Sequence, residues 1–171
     1  MLYVKGGGEM NERNLCGMTV EAIFDKYCNT VYRLAFSRTQ NKYDAEDILQ
    51  SVFLHLCRCD AVFNDDEHIK AWLLKVTVNT SKNLLSSAFR RLSQPMTDQF
   101  LAEDNPSFEV YDVVRTLPEK YRTVVHLFYY EGYTCAEIAR ILGTKEATVK
   151  TRLKRSRERL STLLKGENFD V

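Results

Sequence analysis

The chain has 171 residues, a formal net charge of +1 and 27% charged residues, which suits one ordinary domain or two small ones. It contains no apolar run long enough to span a membrane and begins without the basic-then-apolar pattern of a secretory signal, so we expect a cytoplasmic protein without membrane insertion. The five cysteines form no CxxC pair and have no matching histidine cluster, which argues against a disulfide framework and against a zinc site.

Helical periodicity dominates the first half of the chain. Apolar residues recur at intervals of three and four in residues 19–38, 43–57 and 65–91, which predicts three amphipathic helices. The β-branched run from Val76 to Thr80 favours a strand by propensity alone, but the helical spacing on both sides of it outweighs that preference. No strand-turn-strand pattern is evident in the sequence, so we predict an all-α protein.

A break in this periodicity divides the chain into two parts. Two prolines and several polar and acidic residues fall within residues 93–106, and helical patterns resume at Val110, with Pro118 suited to the first turn of a helix that runs to about Tyr130. We therefore expect two small helical domains joined by a flexible linker. The expected boundaries are a flexible leader at 1–18, a first domain at 19–92, the linker at 93–109 and a second domain at 110–171.

The second domain ends in the pattern of a helix-turn-helix. Thr134 and Glu137 have the spacing of a capping box, and Gly143 suits the left-handed end of the short helix that they open. Thr144 can cap a second helix. The predicted buried side of that second helix consists of Val149, Leu153, Ser156, Leu160 and Leu164. Two helices across a tight glycine turn are the geometry that places a helix in a DNA major groove.

The second helix of this pair carries concentrated positive charge. Residues 146–165 contain seven Lys or Arg against two Glu, whereas residues 96–112 contain five acids and no base. A charge run is usually just a solvated helix face, but the capped, glycine-turned helix pair before it favours DNA binding. The residues that project from the side opposite the apolar stripe are Lys150, Thr151, Lys154, Arg155 and Arg157.

An acidic and amide face is predicted on the helix at 43–57. Its first turn is acidic, as suits a helix N-terminus, and Asp47, Gln50, Ser51 and Leu54 lie away from the apolar stripe. Such a face can receive a basic helix of another protein. Composition alone favours the simpler interpretation of helix capping and solubility.

A basic and amide face is predicted on the helix at 65–91. Lys75, Asn79 and Lys82 share one side, where lysines suit phosphate contacts and an asparagine amide suits a base edge. Trp72 lies on the apolar stripe and is predicted to belong to the core, and an arginine pair at 90–91 extends the basic surface. The residues alone leave nucleic-acid contact and an ordinary solvated helix equally open.

No catalytic constellation is evident. The three histidines, His55, His68 and His126, are scattered, without a nucleophile–base pairing or metal-ligand spacing. The sequence contains neither GxxxxGK[ST] nor GxGxxG, so it offers no recognised phosphate-binding loop. We therefore expect no catalytic residues, no metal and no cofactor, and a protein that is not an enzyme.

Three motifs in a fixed order reveal a family resemblance. They are DAEDILQSVFLHL, AWLLKVTVNTSKNLL and LPEKYRTVVHLFYYEGYTCAEIARILGTKEATVKTRLKRSRERL. Together they span about residues 19–164 and resemble the extracytoplasmic-function (ECF) sigma factors of bacterial RNA polymerase. The resemblance implies two helical domains, called sigma region two and sigma region four, joined by a flexible linker.

The resemblance also implies roles for the predicted faces. The helix at 43–57 would dock on the clamp helices of the largest polymerase subunit, through Asp44, Glu46, Asp47, Gln50 and Leu54. The helix at 65–91 would melt the minus-ten element, with Asn79 capturing a flipped base and with Lys75 and Lys82 beside it. The last helix would read the minus-thirty-five element, through Thr148, Lys150, Thr151, Lys154 and Arg155.

The resemblance implies a dissociable sigma subunit that directs core polymerase to promoters. Its expected partners are core RNA polymerase, promoter DNA and an anti-sigma factor, and it would associate with the nucleoid through the polymerase. The alternative is a stand-alone helix-turn-helix regulator whose first domain senses a ligand or dimerises. The faces around Asp47 and Asn79 favour the sigma factor, because a simple regulator needs neither.

Overall fold

A computed structural model describes the backbone of residues 15–91 and 113–166, and their side chains except at 87–91 and 165–166. The predicted linker at 93–109, most of the predicted leader and the side chains of the arginine pair at 90–91 therefore lie outside the described residues.

The described residues contain six α-helices and a further short helical stretch at 113–115, and their only extended pairing is an isolated bridge between Leu15 and Met18. The helices are α1 (Val20–Thr39), α2 (Lys42–Arg58), α3 (Asp66–Arg91), α4 (Glu119–Val125), α5 (Cys135–Leu142) and α6 (Glu146–Gly166). A π-helical segment, His126–Tyr130, directly continues α4. The prediction of an all-α fold is confirmed.

Local capping explains the tight connection between α1 and α2. The Thr19 hydroxyl accepts a hydrogen bond from the Ala22 N–H at 3.2 Å and opens α1. Gln40 ends α1 in the left-handed conformation, with φ of 54°. Asn41 then caps α2 immediately, because its side-chain oxygen accepts from the Asp44 N–H at 3.1 Å.

The β-branched run in α3 is helical, as the spacing predicted. The Thr77 hydroxyl donates to the Leu73 carbonyl at 2.8 Å, and the Ser81 hydroxyl donates to the Thr77 carbonyl at 2.6 Å. Both side chains are fully buried, so these bonds within the helix satisfy hydroxyls that would otherwise lack a partner.

The first core lies between α1, α2 and α3. Its fully buried members include Ile23, Val31, Ile48 and Leu56. Trp72 is half-buried against this core, with ring centroids 5.6 Å from Phe63 and 5.5 Å from His55. Its predicted assignment to the core is confirmed.

The second core lies between α4, α5 and α6 but also includes side chains of the first half. Val124, Leu127, Ile138, Val149 and Leu153 supply its centre. The residues that join it from α1 and α3 are Leu34, Leu74 and Val78. The two helical parts therefore pack against each other through apolar side chains, which the helical periods did not predict.

The predicted helix up to about Tyr130 is α-helical only as far as Val125. In the π-helical segment the Glu131 N–H bonds back to the His126 carbonyl at 3.2 Å. The wider turn leaves Tyr129 and Tyr130 more than half exposed while Leu127 stays buried.

The helix-turn-helix forms as predicted, with one correction. Thr134 and Glu137 make both hydrogen bonds of the capping box, and Gly143 ends α5 in the left-handed conformation with φ of 60°. Thr144 does not cap the next helix, because α6 begins at Glu146. The Thr144 N–H instead donates to the Ala139 carbonyl at 2.9 Å, so this residue still belongs to the closing turn of α5.

We expect Thr134→Ala to lower the free energy of unfolding of the full chain by about 1 kcal/mol, because it removes the cap of α5. Urea titration followed by circular dichroism measures this. Thr162→Ala is the matched control: its hydroxyl is exposed in the C-terminal part of α6 and donates a hydrogen bond to the Glu158 carbonyl at 3.0 Å. An equal loss in both variants would contradict the capping role.

Candidate functional site

The predicted face on α2 is exposed. Ala45, Ile48, Val52 and Leu56 are fully buried on its other side. The four exposed members of the predicted set are Glu46, Asp47, Gln50 and Leu54. The fifth predicted residue, Asp44, is half-buried, and burial, followed by the nearby Asp47 charge, raises the pKa of its carboxyl.

The α2 face contains one residue that the sequence analysis missed. Tyr43 is 63% exposed and shares a helix face with Asp47, Gln50 and Leu54, because the spacing of four, three and four residues returns to one side of an α-helix. Leu54 is itself 52% exposed. Two large apolar side chains therefore flank the acid and the amide. The helical spacing was a signal that would have identified Tyr43.

The predicted face on α3 is also exposed. Lys75, Asn79 and Lys82 follow one another at intervals of about one turn, and the side chains of all three are exposed. Asn83 is exposed on the same side and was missed. The arrangement places an amide between two ammonium groups along one polar stripe.

Helix α6 presents its predicted stripe beside a buried side of Val149, Leu153 and Ser156. The predicted residues on the exposed side are Lys150, Thr151, Lys154 and Arg155, with Thr148 half-exposed. The Glu146 carboxylate accepts a hydrogen bond from the Lys150 ammonium group at 2.7 Å. This hydrogen bond, followed by the glutamate charge, raises the pKa of Lys150. Lys154 lies 3.9 Å from Glu158.

Two arginines at the flanks of α6 contact aromatic side chains of the second domain. Arg157 donates to the Tyr129 hydroxyl at 2.9 Å, and its guanidinium lies 6.0 Å from the centre of the Phe128 ring. Arg155 hydrogen-bonds to Tyr121 and thereby lowers the pKa of that phenol. The helical spacing predicts both arginines on the exposed stripe but neither contact, because the partners lie far away along the chain.

The three faces lie on three different helices, and each helix has its opposite side in a core. Within the described ranges no helix is long and apolar enough to cross a membrane. Nor do the described residues bring together three His, Cys, Asp or Glu side chains that could hold a metal ion, and the five cysteines, all of them described, are free thiols.

Comparison with protein families identifies both halves of the chain. Residues 23–91 match the family described as Sigma-70 region 2, and residues 107–160 match the family described as Sigma-70, region 4. The two matches include the exposed faces on α2, α3 and α6.

Several characterised proteins resemble the chain over most of its length. The ECF RNA polymerase sigma factor SigM of Mycobacterium tuberculosis is 30% identical over 156 residues, which cover 88% of this chain and 80% of SigM. The RNA polymerase sigma factor SigV of Bacillus subtilis is 31% identical over 143 residues, which cover 81% of this chain and 86% of SigV.

Solved structures share the fold. The sigma factor RpoE, in complex with the anti-sigma factor NepR from Bartonella quintana, superposes with a TM-score of 0.68 at 20% identity, over 85% of this chain and 96% of RpoE. CnrH, in complex with the cytosolic domain of CnrY, gives a TM-score of 0.61 at 21% identity, over 87% of this chain and 89% of CnrH.

None of these comparisons supports the alternative of a stand-alone helix-turn-helix regulator. Both sigma-70 regions are present in the expected order, and relatives of about 30% identity that cover most of the chain are sigma factors. The chain therefore belongs to the extracytoplasmic-function sigma factors, the subunits that direct RNA polymerase to promoters and start transcription there.

Proposed function

We propose that this sigma factor binds core polymerase through α2 and binds promoter DNA through α3 and α6. The observation that carries the proposal is the separation of three exposed polar faces onto three helices that two cores hold in place. Residues 19–92 would form the first functional domain, residues 93–109 the linker and residues 110–171 the second domain, after a leader at 1–18.

The α2 face suits a basic helical partner with some apolar surface. Asp47 offers an exposed carboxylate, and Tyr43 and Leu54 offer large apolar side chains on either side of it. An aromatic or aliphatic anchor beside a charge is a common arrangement at the centre of an interface. We assign this face to the clamp helices of the largest polymerase subunit, with Gln50 beside Asp47 at its centre and with Asp44 and Glu46 at its edges.

The α3 face suits single-stranded promoter DNA. Lys75 and Lys82 would contact phosphates on either side of Asn79, whose amide can donate to and accept from a base edge. Capture of an unstacked base offsets part of the cost of opening the duplex. We assign this face to the minus-ten element.

The α6 face suits a major groove. Lys150 and Lys154 would contact phosphates, and Thr148 and Thr151 are short enough to let the helix approach the base edges. Arg155, held by Tyr121, would contact the DNA backbone from the flank. We assign this face to the minus-thirty-five element.

This function requires only binding. We propose that the chain is not an enzyme and uses no cofactor, and that it works in the cytoplasm on nucleoid DNA together with the polymerase. An anti-sigma factor is a third proposed partner, because the similar fold of RpoE was solved in complex with the anti-sigma factor NepR.

We expect Asp47→Arg to weaken binding to core polymerase at least about tenfold, because charge reversal at a desolvated contact costs more than 1.4 kcal/mol. Titration of labelled core polymerase measures this. Asp25→Arg is the matched control, since Asp25 is also exposed and is the sixth residue of α1, as Asp47 is the sixth residue of α2. Equal affinities for the two variants would refute the docking assignment.

Asn79→Ala should lower transcription from a duplex promoter about tenfold. Transcription by the same variant should recover on a template whose minus-ten region is already melted. Abortive initiation on the two templates measures this, with Asn29→Ala, an exposed asparagine of α1, as the control. A purely structural asparagine would instead reduce activity on both templates alike and lower the melting temperature. That result would exclude base capture.

Lys150→Ala combined with Lys154→Ala should weaken promoter binding by the holoenzyme and reduce the slope of affinity against salt. Each lost phosphate contact removes about 0.9 from that slope. Filter binding at several salt concentrations measures both quantities. The control combines Arg33→Ala with Lys120→Ala, two exposed cations outside the three faces. An unchanged slope in the α6 variant would contradict its role in DNA binding.

A further inference from the structure

One arginine of α6 is tied to the π-helical segment that precedes α5. The Nε of Arg157 donates to the Tyr129 hydroxyl at 2.9 Å, and its guanidinium lies 6.0 Å from the centre of the Phe128 ring. The Phe128 and Tyr129 rings meet edge to face, with centroids 5.0 Å apart. Phe128 also packs against the second core. We call Phe128 and Tyr129 the arginine cradle, because together they fix Arg157 to the body of the second domain.

The arginine cradle holds Arg157 without burying or neutralising it. Arg157 is exposed, and Tyr129 is 55% exposed. The glutamate that follows Arg157 along the chain, Glu158, lies 3.9 Å from Lys154 instead. No carboxylate of a described residue forms an ion pair with Arg157. A full positive charge is therefore held in one place on the surface.

The contact leaves several hydrogen-bond donors for a ligand. A guanidinium has five N–H donors, and the bond to Tyr129 uses the one on Nε. The other four are on the two terminal nitrogens, in the fork geometry that matches phosphate oxygens. The Tyr129 hydroxyl accepts from Arg157 and keeps its own hydrogen for a further acceptor. An anion with several acceptor oxygens, such as a phosphate, suits this pair.

Arg157 lies on a flank of α6 that already carries one proposed DNA contact. Lys150 and Arg157 are seven residues apart, which is two turns and roughly 10.5 Å along one side of the helix. Arg155 projects from the other flank, because two residues rotate an α-helix by about 200°. Arg157 therefore extends the basic edge that begins at Lys150 towards the end of α6.

The π-helical segment explains how the cradle reaches this flank. Its wider turn leaves Tyr129 exposed while Leu127, two residues earlier, is fully buried. Turns of this kind are rare and are found frequently at functional sites. Surface contacts such as the one between Tyr129 and Arg157 add little to the stability of a fold. The arrangement therefore favours a binding role over a purely structural one.

We propose that Arg157 and Tyr129 form a phosphate-binding site at the flank of α6, and that this site takes one backbone phosphate of the minus-thirty-five element. The Arg157 guanidinium and the Tyr129 hydroxyl both donate to the phosphate oxygens, and Phe128 positions the guanidinium. The inference rests on the proposed function in its assignment of α6 to the major groove. It adds two residues that orient the protein on DNA without reading its sequence.

The cradle changes what a surface cation contributes to affinity. An arginine on a free stem loses rotamer freedom when it meets a phosphate, and that loss reduces the affinity gained. In the cradle the side chain is already fixed before DNA binds. The Tyr129 hydroxyl therefore acts both through its bond to Arg157 and through its bond to the phosphate, whereas the charge resides on Arg157 alone. Removal of the hydroxyl and removal of the charge have different signatures for this reason.

The test compares Arg157→Gln with Tyr129→Phe in holoenzyme assembled from the full chain and core polymerase. Filter binding to a promoter fragment at several salt concentrations measures the affinity and its salt slope. Arg157→Gln should weaken binding about tenfold and reduce the slope by about 0.9, because one phosphate contact is lost. Tyr129→Phe should weaken binding about fivefold but leave the slope unchanged, because the charge remains.

Two variants of the same domain are matched controls. Tyr130→Phe removes the hydroxyl of the neighbouring tyrosine, which is 54% exposed and stacks on His126 with ring centroids 5.4 Å apart. Lys120→Gln removes an exposed charge that also lies against an aromatic ring, 5.2 Å from the centre of the Tyr121 ring, but on α4. Both should bind the promoter with the affinity and the slope of the wild type.

A second measurement locates the phosphate. Promoter fragments carry a single neutral methylphosphonate at successive positions of the minus-thirty-five element. At one position this change should weaken binding by the wild type about tenfold and have no further effect on Arg157→Gln, because the two changes remove the same contact. A cradle with a purely structural role would show no such position, since its loss would affect all fragments alike.

An unchanged salt slope in Arg157→Gln, or the lack of any position that couples to it, would overturn the phosphate site. Equal affinities for Tyr129→Phe and Tyr130→Phe would overturn the part assigned to the Tyr129 hydroxyl. Failure of the proposed function is a separate result, in which the combined Lys150→Ala and Lys154→Ala variant also keeps the wild-type slope. A reduced slope in that variant together with an unchanged slope in Arg157→Gln refutes this inference alone.

Discussion

Helix α3 is buried on two sides, and this constraint organises the rest of the molecule. Ile69 and Leu73 point into the first core, while Leu74 and Val78 point into the second. The solvent-exposed part of α3 is a narrow stripe centred on Asn79. One helix therefore joins both cores and still presents a polar face. Any movement of the second domain away from α3 changes the surroundings of that face.

Helical spacing and turn chemistry predicted the elements of this fold well. The capping box at Thr134, the left-handed Gly143 and the helical state of the β-branched run around Thr77 all follow from local rules. The π-helical segment does not follow from local rules, because no local residue pattern signals the wider turn. The sharing of Leu34 and Leu74 between domains was equally hidden, since a helical period shows that a residue is buried but not against which partner.

The candidate faces were predictable for the same reason that the helices were. On an amphipathic helix, a polar residue opposite the apolar stripe faces solvent. This rule correctly predicts that Asp47, Asn79 and Lys154 are exposed. The rule does not describe contacts between residues that are distant along the chain. The anchoring of Arg155 by Tyr121 and of Arg157 by Tyr129 is of that kind.

The π-helical segment makes the number of residues between Val125 and Thr134 a structural requirement in its own right. An α-helical turn over the same stretch would use one residue fewer and rotate every later side chain by about 100°. Tyr129 would then point away from Arg157, and Gly132, with its φ of 75°, would no longer stand where the chain turns towards α5. The orientation of α6 thus depends on chain length as well as composition, and a single-residue deletion here would act as a change of angle between α4 and α6.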